Sequence, residues 1–207
     1  EIAQSEGYDY ISVAHHKDDQ AESILAHIIR GSGLNGLTGM SVVQSEYAIP
    51  VVRPLLDVTK EDLLAYIGTK HISYCVDSTN EDVRYQRNRI RHRIIPELEV
   101  VNPAVVDAIV RLGSSVNEDV MVISDLTSRT FDKLVSIGDD EVRISRRALR
   151  QEPLAIQRRL WQRLVSTIDS DLTLTSAHQE QLLDIVNTGE KKTFTIKSIK
   201  VIAQCDT

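Results

Sequence analysis

An apolar run that leads straight into a polar, helix-starting segment is the feature that most constrains the fold of this chain. Residues 10–14 (YISVA) predict a buried strand, and the next helix is expected to begin near Asp18 or Asp19, with Gln and Glu in its first turn. His15, His16 and these carboxylates therefore gather where a strand ends and a helix begins. Because ligands bind at that edge of open α/β sheets, the segment points to chemistry on a nucleotide.

Hydrophobic periodicity predicts that this segment belongs to an α/β unit. A helix over 19–30 is followed by a glycine-rich loop and a buried strand over 48–52. A capping box then starts a helix over 59–69, and a short strand covers 73–76. This β-α-loop-β-α-β order predicts a parallel sheet with helices on its faces.

The second half of the chain is predicted to be mainly α-helical, and we place the domain boundary between residues 97 and 98. A helix over 84–95 is expected to stop at Pro96. The other predicted elements are one long or two broken helices over 103–135, a strand over 142–144, helices over 153–168 and 176–186, and a hairpin over 193–203.

Composition excludes several classes of protein. The 207 residues contain no apolar run near the ~18 residues of a membrane helix, so we expect no membrane partner. The net charge of −6 argues against a uniformly basic nucleic-acid binder; RNA contact must come from local patches such as residues 84–93, which hold five arginines and no acid. The two cysteines form no C-x-x-C pair, so structural zinc is not expected and the cytoplasm is the default location.

Four motifs occur in an order that resembles one family of tRNA-modifying enzymes. They are AHHKDDQAES at 14–23, VRPLL at 52–56, DSTN at 77–80 and YQRNRIR at 85–91. Together they resemble the tRNA(Ile)-lysidine synthases, a branch of the PP-loop ATP pyrophosphatase superfamily, over roughly residues 10–96. The resemblance implies that residues 1–97 are the C-terminal part of a Rossmann-like PP-loop domain with a parallel sheet, and that 98–207 are a mainly helical tRNA-binding or connector domain.

One motif of that superfamily is missing from the sequence. The phosphate loop Ser-Gly-Gly-x-Asp-Ser does not occur, and the chain begins with Glu1. We therefore expect a piece of a longer enzyme that is inactive by itself. An uncovered sheet edge would also favour self-association, for example as a homodimer.

The resemblance implies a ligase that makes lysidine at the wobble cytidine of a tRNA(Ile) with a CAU anticodon. ATP would adenylate the cytosine C2 oxygen, and the L-lysine ε-amine would then attack C2; ATP and Mg²⁺ are the expected cofactors. A tRNA thiolase of the same superfamily is an alternative, although many of those enzymes depend on Cys-x-x-Cys pairs. A non-catalytic RNA-binding fragment is a second alternative.

Asp19 and Glu22 are the main candidate catalytic carboxylates. They lie three residues apart and so share a helix face, where they suit either Mg²⁺ or an ammonium group. A plain helix cap is the structural alternative. The resemblance implies that Asp19 holds metal or reacting groups and that Glu22 positions the lysine. It also places one of the paired histidines, for which we choose His15, beside the base or the leaving AMP.

A second candidate site is the Gly-Ser-Gly turn after the first helix. Backbone N–H groups in such a turn suit an anion, although a helix C-cap explains the glycines equally well. The resemblance implies a nucleotide-facing loop here, and its predicted cofactor-binding residues are Arg30, Gly31, Ser32 and Gly33.

Three further polar residues follow predicted strands. Arg53 ends a strand and is predicted either to bind substrate or to form a salt bridge at the rim. Asp77 and Asn80 belong to a motif that by itself makes a good Asx turn and helix cap.

An arginine stripe completes the candidate site. Arg84, Arg87 and Arg91 are spaced to share one helix face, and arginine forks match phosphate and carboxylate groups, although most charged stripes are solvated. The family motif falls on Tyr85, Arg87, Asn88 and Arg91. We therefore predict that Arg87 contacts the adenylate or the modified nucleotide, that Arg91 binds the cofactor and that Asn88 binds substrate.

Overall fold

The computed structural model describes residues 2–75, 82–139, 141–188 and 191–204. The chain divides into two compact units, Glu1–Val120 and Met121–Thr207, which we call unit 1 and unit 2. Each is described by itself below. The domain boundary that the sequence places between residues 97 and 98 stays a prediction.

Unit 1 contains a small mixed sheet. Its strands are β1 (Ile11–Ser12), β2 (Val43–Gln44) and β3 (Val51–Val52), in the order β1-β3-β2. β1 and β3 are parallel, whereas β2 is antiparallel to β3. The expectation of a wholly parallel sheet is therefore wrong for the described residues: residues 72–75 form no strand, and Val76 lies outside those residues.

The first strand is present but is not buried as predicted. Ile11 is 39% exposed and lines an open apolar concavity with Ile2, Tyr8 and Tyr10. Within the described residues β1 has a ladder partner on one side only. The apolar pattern thus predicted the strand correctly and its burial incorrectly.

Local capping signals determine where the helices next to the sheet begin. α1 (Ile2–Ser5) precedes the sheet, and α2 (Lys17–Ile29) begins where predicted. A short α3 (Leu34–Leu37), which the sequence did not predict, lies in the glycine-rich loop. α4 (Lys60–Thr69) starts as predicted, because the Thr59 side chain accepts the backbone N–H of Asp62 at 3.1 Å.

The predicted stop at Pro96 is wrong. α5 (Gln86–Arg89) continues through a π-helical turn (Ile90–Ile94) into α6 (Ile95–Val101), and Pro96 lies in the first turn of α6. The N–H of Ile95 bonds to the carbonyl of Ile90, five residues earlier, so the chain is already in a wider turn where proline arrives. Since proline lacks an N–H and crowds the carbonyl four residues before it, this wide turn lets the helix pass through Pro96.

α7 (Val105–Leu134) is one continuous helix of 30 residues, which settles the choice between one long and two broken helices. Ile109 of α7 packs with Ala21 and Ile24 of α2 in the core of unit 1. Gly113 lets the two helices approach closely, because a Cβ there would lie 2.7 Å from the Ile24 side chain. The sequence signal for this contact is the apolar stripe of α7.

Unit 2 is mainly helical, as predicted. Its elements after α7 are β4 (Val135–Ile137), β5 (Val142–Ile144), α8 (Arg146–Gln151), α9 (Leu154–Ile168), α10 (Ser176–Thr188), β6 (Lys192–Ile196) and β7 (Ile199–Ala203). β4–β5 and β6–β7 are antiparallel hairpins; β4 and α8 were not predicted. Leu160, Trp161 and Leu182 lie in the core of the unit. No helix in the described ranges is long and apolar enough to cross a membrane.

Replacing Gly113 by alanine tests the α2–α7 contact. We expect Gly113→Ala to lower the free energy of unfolding by about 1–2 kcal/mol, because the new methyl must displace Ile24 and also lies 3.2 Å from the Leu37 carbonyl. The matched control is Gly68→Ala in α4, where nothing lies within 4 Å; it should stabilise the protein by up to about 1 kcal/mol. Urea unfolding measures both. Equal gains in the two variants would contradict the close approach.

Candidate functional site

The candidate site lies at the ends of the two parallel strands of unit 1. β1 leads into the segment that carries His15, and β3 leads into Arg53. Because the strands are parallel, with Ser12 opposite Val52, both segments leave the sheet at the same edge. The sequence predicted this edge, although it predicted a larger sheet behind it.

Asp19 and Glu22 meet Arg87 and Arg91 in an ion-pair network that we call the carboxylate–arginine cluster. The Asp19 Oδ1 atom accepts hydrogen bonds from Nη2 of Arg87 and Nη2 of Arg91, each at 2.8 Å. Glu22 accepts Nε of Arg87 at 2.9 Å and Nε of Arg91 at 2.6 Å. Two residues from α2 thus meet two residues that lie more than 60 positions later in the chain.

The cluster offsets the desolvation free energy of burying two carboxylates side by side. Asp19 is 6% exposed and Glu22 is 1% exposed, and a buried carboxylate without donors would cost several kcal/mol. Two guanidinium forks supply the donors and balance the charge. Burial alone would lower the pKa of Arg91, but its hydrogen bonds to Glu22 raise that pKa above its ordinary value.

The two arginines differ in their access to solvent. The side chain of Arg87 is 48% exposed and that of Arg91 is 23% exposed. Arg87 therefore presents part of its guanidinium to solvent while it holds both carboxylates. Of the two, it is the one better placed to contact an incoming anion.

His16 and Asp18 fix the start of α2. The backbone N–H of His16 donates to Asp19 at 3.0 Å, and the backbone N–H of Lys60 donates to Asp18 at 2.8 Å. A hydrogen bond with the His16 side chain, helped by that backbone bond, lowers the pKa of Asp18 to about 2. His16 thus contacts the first turn of α2, and His15 is the histidine that lies at the edge of the sheet where β1 and β3 end.

His15 is paired with Arg53 across the strand edge. The Arg53 Nε donates to Nδ1 of His15 at 3.2 Å. Arg53 is only 9% exposed, and it also donates to the Ser41 carbonyl and to the Gln44 side-chain oxygen, each at 2.9 Å. Burial, together with the positive charges of Arg87 and Arg53, lowers the pKa of His15, although Asp19 opposes the shift.

A clamp formed by Gln20, which the sequence did not single out, holds the segment that receives Arg53. The Gln20 side chain accepts the N–H of Met40 at 2.6 Å and donates to the Met40 carbonyl at 2.9 Å. Gly39 has a φ of +72°, and a Cβ there would lie 2.7 Å from the Gln20 amide. The only sequence signal was that Gln20 stands within the first motif.

The structure uses much of the Gly-Ser-Gly turn as a helix cap. Gly31 has a φ of +74°, and its N–H donates to the carbonyl of Ile28. The N–H of Ser32 donates to the carbonyl of His27. These two N–H groups are thus engaged by α2. A nucleotide role for Arg30, Gly31, Ser32 and Gly33 stays a prediction.

The remaining predicted site residues have separate surroundings. Asn88 donates its side-chain N–H to the Asp82 carbonyl at 3.1 Å, which ties α5 to the turn before it. Arg84 pairs with Asp82 and is outside the carboxylate–arginine cluster. Asp77 and Asn80 lie outside the described residues.

The described carboxylates do not fit a metal ion as they stand. Every oxygen of Asp19 and Glu22 accepts at least one hydrogen bond from an arginine or a backbone N–H. Within the described part of the chain, no group of three or more His, Cys, Asp or Glu side chains is placed to hold a metal. This arrangement gives no support to the prediction of Mg²⁺ at Asp19.

Comparison with known proteins gives two kinds of match. Residues 1–98 match the PP-loop domain family. Relatives named tRNA(Ile)-lysidine synthase include those of Porphyromonas gingivalis, 44% identical over 103 residues, Geobacter sulfurreducens, 31% over 185, and Bacillus subtilis, 30% over 192. These alignments cover 50%, 89% and 91% of this chain.

The chain is much shorter than these relatives. The alignments span 22% of the Porphyromonas protein, 39% of the Geobacter protein and 41% of the Bacillus protein. The PP-loop match covers the whole carboxylate–arginine cluster, and the Geobacter and Bacillus alignments cover nine-tenths of the chain, so they take in much of unit 2 as well.

Neutralising Glu22 tests the charge balance of the cluster. We expect Glu22→Gln to lower the free energy of unfolding by about 2–4 kcal/mol, because two guanidinium groups would then share one carboxylate; the half-exposed Arg87 limits the loss. The matched control is Glu61→Gln, an exposed residue in the first turn of α4, with an expected change below about 1 kcal/mol. Urea unfolding of both variants decides; similar small changes would contradict the cluster's role.

Two glycine variants separate backbone strain from the Gln20 clamp. Gly31→Ala places a side chain at a positive φ in open space and should cost about 1 kcal/mol. Gly39→Ala has the same backbone cost and also pushes the Gln20 amide away from Met40, so its loss of stability should be larger by about 1–2 kcal/mol. Thermal unfolding compares the pair. Equal losses would show that the clamp contributes nothing.

Proposed function

We propose that this chain, whose residues 1–98 match the PP-loop domain family and which is similar to tRNA(Ile)-lysidine synthases over as much as nine-tenths of its length, carries part of the site of an ATP-dependent ligase. The reaction joins L-lysine to C2 of the wobble cytidine of a tRNA(Ile) with a CAU anticodon. Each relative reported above is named for lysidine synthesis, which favours this reaction over sulfur transfer by a thiolase.

The carboxylate–arginine cluster is the observation that carries the proposal. The reaction brings together one cationic substrate, lysine, and anionic phosphates. The cluster offers two carboxylates to the first and two guanidinium groups to the second, within one network of hydrogen bonds. A scaffold or a simple RNA-binding surface has no need for buried carboxylates among its arginines.

The chemistry assigns distinct tasks to the two kinds of side chain. In the first step the cytosine C2 oxygen attacks the α-phosphorus of ATP, and pyrophosphate leaves. In the second step the lysine ε-nitrogen forms a bond to C2, the bond from C2 to its oxygen breaks, and AMP leaves with that oxygen. The attacking amine must be neutral, so the lysine ammonium has to lose a proton. We assign the binding of the ammonium and the acceptance of that proton to Asp19 and Glu22.

Arg87 and Arg91 serve the phosphate side of the reaction. A guanidinium fork can hold a phosphate as it now holds a carboxylate, and stabilises the negative charge on the leaving group. Arg87, which is half exposed, makes the first contact with the phosphate. As Arg87 turns toward the phosphate, Glu22 loses one of its two arginines and keeps Arg91, so it regains capacity to accept the lysine ammonium.

The other partners follow from the same reaction. The protein would act on tRNA in the cytoplasm, and ATP would be bound with Mg²⁺ on its phosphates; no residue of this chain is assigned to the metal. A homodimer stays a prediction. Residues 84–93 offer a strongly basic stretch for the tRNA in a sequence of net charge −6.

Two arginines of the same segment provide a matched test of this function. In the protein that carries this chain at its natural length, Arg87→Gln should reduce lysine incorporation into tRNA(Ile) by about 100-fold or more, because the phosphate loses a fork of donors. Arg84→Gln removes an arginine that is 88% exposed and paired with Asp82, so it should stay within about threefold of the unchanged protein. Radiolabelled lysine and purified transcript give the measurement.

The outcome decides between the candidate functions. Equal loss in both variants would indicate that the segment only binds RNA by charge. Absence of lysine incorporation by the unchanged protein, under conditions where a known lysidine synthase works, would overturn the proposed function.

A further inference from the structure

The hydrogen bond between Arg53 and His15 determines which ring nitrogen of the histidine carries a proton. Every nitrogen of the Arg53 guanidinium carries hydrogen and can only donate. Nδ1 of His15 must therefore accept this hydrogen bond and cannot carry a proton in this arrangement. A neutral imidazole has one proton, which must then lie on Nε2. Among the described residues, none accepts a hydrogen bond from that Nε2.

Arg53 is held firmly enough to impose this tautomer. Its guanidinium donates to three acceptors on two segments, to His15 on one and to Ser41 and Gln44 on the other, and its backbone N–H bonds to the Val42 carbonyl at 2.8 Å. The residue is 9% exposed, so water competes weakly for these bonds. A rim salt bridge, the alternative that the sequence left open, does not describe these contacts.

The pair leaves a positive charge next to the uncharged imidazole. The three acceptors of the Arg53 side chain are a ring nitrogen, a carbonyl oxygen and an amide oxygen, and none of them is an anion. A largely buried guanidinium whose hydrogen-bond partners are neutral attracts an anion to its neighbourhood. An N–H group beside it therefore favours an acceptor oxygen that carries negative charge.

We propose that Arg53 is a positioning residue that fixes His15 as an uncharged Nε2–H donor, and that His15 donates to a phosphate oxygen of the adenylated nucleotide. The inference rests on the proposed function for the identity of the nucleotide, but the tautomer itself does not. It assigns His15 the role of a hydrogen-bond donor to the leaving group and excludes a role as the base that deprotonates lysine. The lowered pKa of His15 agrees with a ring that stays uncharged near neutral pH.

The tautomer is measured directly by ¹⁵N NMR on histidine-labelled chain at pH 7.5. The chain holds six histidines, and the His15→Gln variant assigns the signal. We expect His15 to show a protonated Nε2 and a bare Nδ1, and Arg53→Met to abolish this single-tautomer signature while the signal of exposed His71 stays unchanged. A protonated Nδ1 in the unchanged chain, or a folded Arg53→Met variant with the same tautomer, would overturn the inference. Should Arg53→Met not fold, the spectrum of the unchanged chain decides alone.

Two substitutions of His15 separate donation from proton transfer in the lysine-incorporation assay. Gln places an uncharged N–H close to the position of Nε2, whereas Ala places none. We expect His15→Ala to lower kcat about tenfold or more and His15→Gln to remain within about threefold of the unchanged protein. Equal loss in both variants would overturn the donor role, because a base cannot be replaced by an amide.

Sulfur substitution in ATP identifies the acceptor. A sulfur in place of one non-bridging α-phosphate oxygen accepts hydrogen bonds poorly, so the unchanged protein should react more slowly with one of the two α-thio diastereomers of ATP. His15→Ala should lose this discrimination at least in part. Full retention of it would exclude a phosphate oxygen as the acceptor. Failure of the unchanged protein to react with ordinary ATP would count against the proposed function and leave the NMR result to decide the tautomer.

Discussion

The structure of unit 1 depends on the need to satisfy two buried carboxylates on one face of α2. Asp19 and Glu22 cannot remain charged and buried without donors, and the backbone N–H of His16 at the start of α2 serves only one oxygen of Asp19. Arg87 and Arg91 supply them from the helical segment 86–101. The segment 86–101 therefore packs against α2 for an electrostatic reason. The same hydrogen bonds form the candidate site.

The sequence could predict each half of this cluster but not the way the halves meet. Spacing of three along α2 places Asp19 and Glu22 on one face, and spacing of four places Arg87 and Arg91 on another. Periodicity reports only on residues within one helix, and the family motif gave these residues separate roles, so neither predicted the pairing between the helices. Arg53 shows the same limit: its position after a strand was evident, whereas its hold on His15 depends on two segments that the chain brings together by folding.

The errors in the fold have equally physical causes. Pro96 usually ends a helix, but the wide turn at 90–94 accommodates it, and a π turn leaves no mark in the apolar pattern. The i→i+5 bonding also lets Ile90 and Ile95 both be buried, which regular α spacing would not favour. Strand 10–14 was predicted as buried because apolar runs usually are; β1 instead lies at the end of a three-stranded sheet. Local signals such as the Thr59 cap were the most reliable guides.

Charge balance in the cluster links the two substrates of the proposed reaction. Two carboxylates and two guanidinium groups neutralise one another, so a lone ammonium would have to displace an arginine from Glu22 and leave that arginine with Asp19 alone. A phosphate that binds Arg87 reduces this penalty, because the phosphate replaces the carboxylates as the partner of Arg87 and leaves Glu22 paired with Arg91 only. Each substrate therefore makes the binding of the other more favourable, and the coupling is reciprocal. On this reasoning the lysine binds well only after the nucleotide is in place, which protects the activated base from reaction with the wrong amine.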